Sequence, residues 1–227
     1  MDLRRQYPLR DNVRQNSQPH GPWSQRPRRS HLGTRNVKVP FSPPEDWYEP
    51  EEDGEDYRVV VQTPSEGYCH VVTPEQIRRR LEQVPQQFLR GLEVVQMSRM
   101  TRKKKSFPCY GMQWGATLYL YPLEDSLEEY FYVPPRPEVI NEAKMYGGRW
   151  DRPERGVWRL LWSPAAIEDF YLNNILIHEL GHLVDDRNTN YTDRERYAEW
   201  FAIHYGYRPS GGSARRRSKV RKRHHSK

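Results

Sequence analysis

Cysteine is scarce in this chain. There are two in 227 residues, Cys69 and Cys109, far apart and in no Cys-x-x-Cys pair. That excludes a disulfide framework, and both thiols are expected as ordinary core residues in a reducing compartment. Long apolar runs are missing as well. No stretch approaches the roughly 20 apolar residues of a membrane-spanning helix. The opening segment MDLRRQYPLRDNVRQ is charged too often for a signal peptide. The expectation is a cytoplasmic protein with no membrane partner.

Apolar residues are themselves few, at 35% against 30% charged. Such a composition cannot bury enough surface to order the whole chain. Charge of one sign is absent from two segments. Residues 41–56 hold eight Asp/Glu and no Lys or Arg, whereas residues 208–227 hold nine Lys/Arg and no acid. Residues 1–40 add nine Lys/Arg against two Asp. The net charge of +7 therefore belongs to the ends, and residues 57–207 are close to neutral. Three parts are predicted. Residues 1–56 form a disordered segment, basic and then acidic. Residues 57–207 form the folded domain, and residues 208–227 form a disordered basic tail.

Within the domain the apolar pattern alternates between strand and helix signals. YRVVVQT from Tyr57 and GYCHVV from Gly67 read as the two arms of a hairpin. TPEQIRRRLEQV reads as a helix with Thr73 as N-cap and Pro74 at the first position, burying Ile77, Leu81 and Val84. LEVVQMS, ATLYLYP and EEYFYV read as strands, with a basic loop TRKKKSFP at 101–108 and a helix over Pro137–Tyr146. GVWRLLW, residues 156–162, is a strong strand. Ser163 and Pro164 then start a helical stretch, unbroken or in two pieces, to about Asp185. A last helix is expected from a cap at Thr192 or Asp193 to Gly206. The class is α+β.

The chemistry concentrates in NNILIHELGHLVDDR, residues 173–187. Residues i and i+4 of a helix stack with Cβ atoms about 5–6 Å apart, so His178 and His182 can reach one ion. Glu179 lies about 100° round the helix, close to that ion without being a ligand. This is where a base acting on metal-activated water belongs. A catalytic zinc needs a third protein ligand. In DRERYAEWFAIHYG, Glu195, Ala198, Glu199 and Ala202 share one side. The small alanines allow close approach to the first helix, so Glu195 can supply the ligand and Glu199 can bond a ligand histidine. Asp185 is the alternative third ligand, since it shares a helical face with both histidines. His204 is about half a turn out of phase with Glu195 and is aimed elsewhere.

His178-Glu179-Leu180-Gly181-His182, followed by Glu195-x-x-Ala198-Glu199-x-Phe201-Ala202, resembles the gluzincin metallopeptidases. The nearest likeness is to the minigluzincins and to the bacterial anti-repressor-cleaving metallopeptidases. It covers about residues 156–206. The resemblance implies a zincin-like core, in which a small mixed or antiparallel sheet packs on the H-E-x-x-H helix and a second helix carries a glutamate. It also implies one zinc ion held by His178, His182 and Glu195, with Glu179 as base in peptide-bond hydrolysis of a protein or peptide substrate. The departure is spacing: His182 and Glu195 stand closer in sequence than in thermolysin-like enzymes. Tyr191, before the second helix, is the candidate oxyanion donor, and Tyr197 should point away. The strand Val157–Trp162 is the candidate for pairing with an extended substrate. The other reading is a non-catalytic, zinc-stabilised protein. It would act through residues 208–227 on nucleic acid without sequence preference, or on acidic partners.

Overall fold

The apolar runs read as strands do pair, but not always with their sequence neighbours. In a computed structural model, which describes residues 57–106 and 109–211, β1 (Arg58–Val61) lies parallel to β3 (Val94–Met97). β2 (Tyr68–Cys69) pairs instead, antiparallel, with β6 (Leu123–Glu124). The expected hairpin is thus absent. Alternation identifies a strand without naming its partner, and a parallel pair needs a crossover. Here α1 (Pro74–Leu81) makes it, with Thr73 and Gln76 closing a reciprocal cap at its start. The expected face of Ile77, Leu81 and Val84 is buried. The segments expected to be disordered, 1–56 and most of 208–227, lie outside the described residues.

β3 pairs in parallel with β5 (Thr117–Leu120), and β4 (Gly111–Trp114) closes the sheet antiparallel to β5, giving the order β1-β3-β5-β4. Both inner strands are buried along their whole length, as strands covered on both faces are, and the helix over Leu176–Val184 packs on β4 and β5. Between β3 and β4 the TRKKKS segment is not a solvated loop. It forms a short helix, α2 (Arg102–Ser106), whose Lys104 N–H donates to Thr101 Oγ1 at 3.2 Å, and it buries Lys104. A threonine before a helical turn is a good cap, and the run of cations hid it. α3 (Pro137–Met145) lies where expected. β7 (Glu128–Phe131), β8 (Arg149–Glu154) and β9 (Val157–Leu161) form a second antiparallel sheet in the order β7-β9-β8.

From Ser163, whose hydroxyl accepts from the Ala166 N–H, one unbroken helix runs to Val184. It consists of α4 (Pro164–Phe170), a π-helical turn over Tyr171–Ile175 and α5 (Leu176–Val184). Leu176, Ile177 and Leu180 of α5 face the sheet, against the core that holds Leu118, Leu120, Val95 and Phe170. The last helix starts earlier than expected. Asn190, not Thr192 or Asp193, is its cap, accepting from the Asp193 N–H at 2.9 Å. It runs as α6 (Tyr191–Phe201) and a second π-helical turn over Ala202–Tyr207.

Gly206 does not end that helix. A Cβ there would lie 1.9 Å from the Asn173 carbonyl oxygen, so glycine is required by contact between the two π-turns. The chain turns on to Gly211, which has φ +85° and is the residue at the left-handed position that usually follows a helix. Both cysteines stand outside any disulfide and are half-buried, not core residues.

Candidate metal centre

Small residues bring α5 and α6 together. A Cβ on Gly181 would stand 3.0 Å from Ala198 Cα and 3.1 Å from Phe201 Cβ. At that separation the first turns of α6 reach across to the histidine face of α5. Glu195 is buried there, one turn before Ala198. His178 Nε2 and His182 Nε2 are 3.1 Å apart. Glu195 Oε1 is 3.4 Å from His182 Nε2, and Oε2 is 3.7 Å from His178 Nε2. These three residues converge as a group that can hold a metal ion. Ligands about 2.0–2.1 Å from zinc in a tetrahedral set stand about 3.3 Å from one another. The measured separations, with a different glutamate oxygen facing each histidine, lie near that value, so the group is compact enough to hold one metal ion.

The electrostatics describe the same convergence without metal. Burial opposes ionisation of Glu195, yet its bonds to His178 and His182 hold its carboxyl well below the usual range. Burial would lower the His178 imidazolium, but Glu195, Glu179 and Glu142 lift it to about 9. Glu179 is 5% exposed. Burial raises its carboxyl, the two histidines and Lys104 pull it down, and Glu195 pushes it up.

Asp185 is not in the group. The helix ends at Val184, and Asp185 leaves it with ψ 89°, so extrapolating the helical face fails. Its carboxylate accepts from the Asn188 N–H and Nδ2 and shapes the loop. Arg194 spans the same junction, donating to the carbonyls of His182 at 3.0 Å and Asp185 at 3.4 Å. Those carbonyls lie at a helix C-terminus with no partner inside the helix, and a cation suits them.

Glu199 is exposed and makes no hydrogen bond to either histidine, although its charge and that of His178 interact. Tyr191 is the first residue of α6, half-buried and one turn before Glu195. Tyr197 packs on Trp200 and Phe201 with the Arg187 guanidinium over its ring. His204 is exposed and stacks on Trp200.

Three neighbours were not read from the sequence. Gly111 of β4 backs Glu179: a Cβ there would be 2.9 Å from Glu179 Cγ and Oε1 and 2.7 Å from Ile175 Cγ2. Glu142 of α3 accepts from Asn174 Nδ2 at 2.7 Å and adds its charge near His178. Lys104 adds a cation near Glu179. No strand is expected around Gly111 from the sequence; Gly111 opens β4, and a glycine in a strand often marks close approach.

The strand expected to receive substrate is misplaced for that role. β9 is the middle strand of its sheet, with both edges taken by β7 and β8. β4 is an edge strand and packs on α5. Compared with models of protein families, with curated proteins and with solved structures, the chain matches none. Among the described residues no helix is long and apolar enough to cross a membrane.

Proposed function

We propose that this chain is a zinc-dependent metallopeptidase with a zincin-like core, in which His178, His182 and Glu195 hold one zinc ion. The observation that carries this reading is a buried carboxylate, Glu179, next in sequence to a histidine of a two-helix His-His-Glu group. Three protein ligands are the usual set of a catalytic zinc, and four that of a structural one. Bound there, zinc supplies a Lewis acid that polarises a carbonyl and acidifies water. Glu179 accepts the proton of the attacking water and delivers it to the departing amine. The walls of Gly111 and Ile175 fix the carboxylate for that transfer. The free edge of β4 pairs with an extended peptide and brings its scissile bond past Glu179. Tyr191 is the proposed donor to the developing oxyanion.

The test is Glu179→Gln in the full chain, beside the parent and His182→Ala, with zinc measured by atomic emission and cleavage read by mass spectrometry on a peptide library. Glu179→Gln keeps zinc and loses cleavage, and His182→Ala loses zinc. A Glu179→Gln protein that cuts as fast as the parent refutes the mechanism. Zinc bound equally by parent and Glu179→Gln, with neither cutting, favours the zinc-stabilised binding protein instead.

A further inference from the structure

The two half-buried thiols have opposite neighbours. Cys69, on β2, is pushed up by burial and then by the charge and hydrogen bond of Asp125. Cys109, two residues before β4, receives a hydrogen bond from the Lys104 ammonium, Nζ to Sγ at 3.4 Å. Lys104 is 7% exposed. Its ammonium also lies over the Tyr121 ring, 3.8 Å from the centroid. An ammonium has three donors, and among the described residues the Cys109 sulfur is the one atom that accepts from it. Burying a cation is costly unless anions offset it; Glu179 interacts with this one by charge, without a hydrogen bond to it. A thiolate at Cys109 supplies an anion in hydrogen-bond contact, and a thiolate beside a lysine is the arrangement that makes cysteines reactive.

We propose that Cys109 is an activated thiol, a modification site for peroxides and soft electrophiles, with Lys104 as the residue that activates it. In the oxidation the thiolate attacks one peroxide oxygen. The O–O bond breaks as an S–O bond forms, and sulfur is oxidised by two electrons to sulfenic acid. The departing hydroxide takes up a proton and leaves as water. Cys109 is half-buried, within reach of small reagents, and the proposal is tested on thiol reactivity, with no readout of metal or cleavage.

The experiment uses the full chain in its native state. It is alkylated with iodoacetamide at pH 6–9, and the two cysteine peptides are quantified against time by mass spectrometry. A parallel sample receives one equivalent of hydrogen peroxide and then dimedone, which traps sulfenic acid. At pH 7 Cys109 alkylates about tenfold faster than Cys69, the ratio that one pH unit of separation between the thiols gives. Dimedone marks Cys109. Lys104→Met brings the ratio close to one and Lys104→Arg keeps most of it. Cys69 gauges folding in each sample, because an unfolded chain alkylates both thiols at one rate. Where Lys104→Met unfolds, the parent's ratio and its dimedone adduct decide alone. A parent ratio at or below one overturns the proposal, as does a folded Lys104→Met that reacts like the parent.

Discussion

Glu129 on β7 is a carboxyl 8% exposed, whose Oε1 accepts from Tyr110 Oη at 2.6 Å and from Trp162 Nε1 at 2.9 Å. Burial pushes it up from 4.5 to about 7; the two hydrogen bonds oppose the rise and the Glu124 charge adds to it. A group that holds its proton more tightly folded than unfolded stabilises the fold fully below the unfolded value. That stability is lost as pH rises through the folded value. The window here is from about 4.5 to about 7. At 1.36 kcal/mol for each pH unit, the loss across it is about 3 kcal/mol. Glu129→Gln keeps an oxygen acceptor for Tyr110 and Trp162 and cannot ionise. Urea unfolding of both proteins, in identical buffers and metal content from pH 4.5 to 8.5, measures the difference directly. The histidines and the other acids titrate alike in both and cancel. The variant's advantage over the parent should grow by about 3 kcal/mol between pH 4.5 and 8.5. For a domain of this size that is roughly 6–12 °C in melting temperature. Parallel pH profiles for the two proteins would refute the assignment of a neutral, buried Glu129. The group matters to the site because Tyr110 leads directly into Gly111, the wall behind Glu179.

Gly111→Ala places a methyl 2.7 Å from Ile175 Cγ2 and 2.9 Å from the Glu179 carboxylate. It should cost about 1–3 kcal/mol and abolish cleavage while zinc content stays at the parent's level; full activity would show that Glu179 is not held there. Glu195→Gln should lose zinc in a dialysis-equilibrium measurement, whereas Asp185→Ala should keep it and only loosen the loop around Asn188. The reverse pattern would exchange the two ligand assignments. Arg194→Met strips partners from the carbonyls of His182 and Asp185, so it should lower stability by about 1–3 kcal/mol and weaken zinc binding in a competition titration. Unchanged zinc affinity would mean that the end of α5 holds His182 without that clamp.

The two histidines, the glutamate between them and the glutamate across the next helix were legible because helical spacing is rigid. A residue four positions on is always one turn above, whatever the rest of the chain does. The same rule failed at Asp185, where it was carried one residue past the end of the helix. Pairing was not legible: the β-branched run at Arg58–Val61 announces a strand, but its parallel partner β3 is chosen by the crossover through α1. Lys104 was hidden for another reason. In a run of three lysines nothing distinguishes the one that turns inward, and its burial depends on Tyr121 and Cys109, which arrive later in the chain. Gly206 was read as a stop signal because glycine usually is one. Its purpose here is contact with Asn173, a residue on a different helix.

The centre's geometry therefore depends on backbone approach as much as on its ligands. Glycine stands at two crossings between the helices that carry the group. Gly181 meets Ala198 and Phe201 at one, and Gly206 meets the Asn173 carbonyl at the other. Two fixed points along a pair of rigid rods set both their separation and their rotation, and Glu195 lies one turn from the first of them. Both π-helical turns fall at the second crossing, where the extra residue in each turn adjusts the phase of one helix against its neighbour. Arg80 of α1 ties the two together, donating to Asn173 Oδ1 at 2.6 Å and to the Tyr205 carbonyl. A side chain added at either glycine would push the helices apart and carry Glu195 away from the histidines before any ligand had been changed. The closeness of helix packing is thus what converts a pattern of three residues on two helices into a compact group that can hold one metal ion.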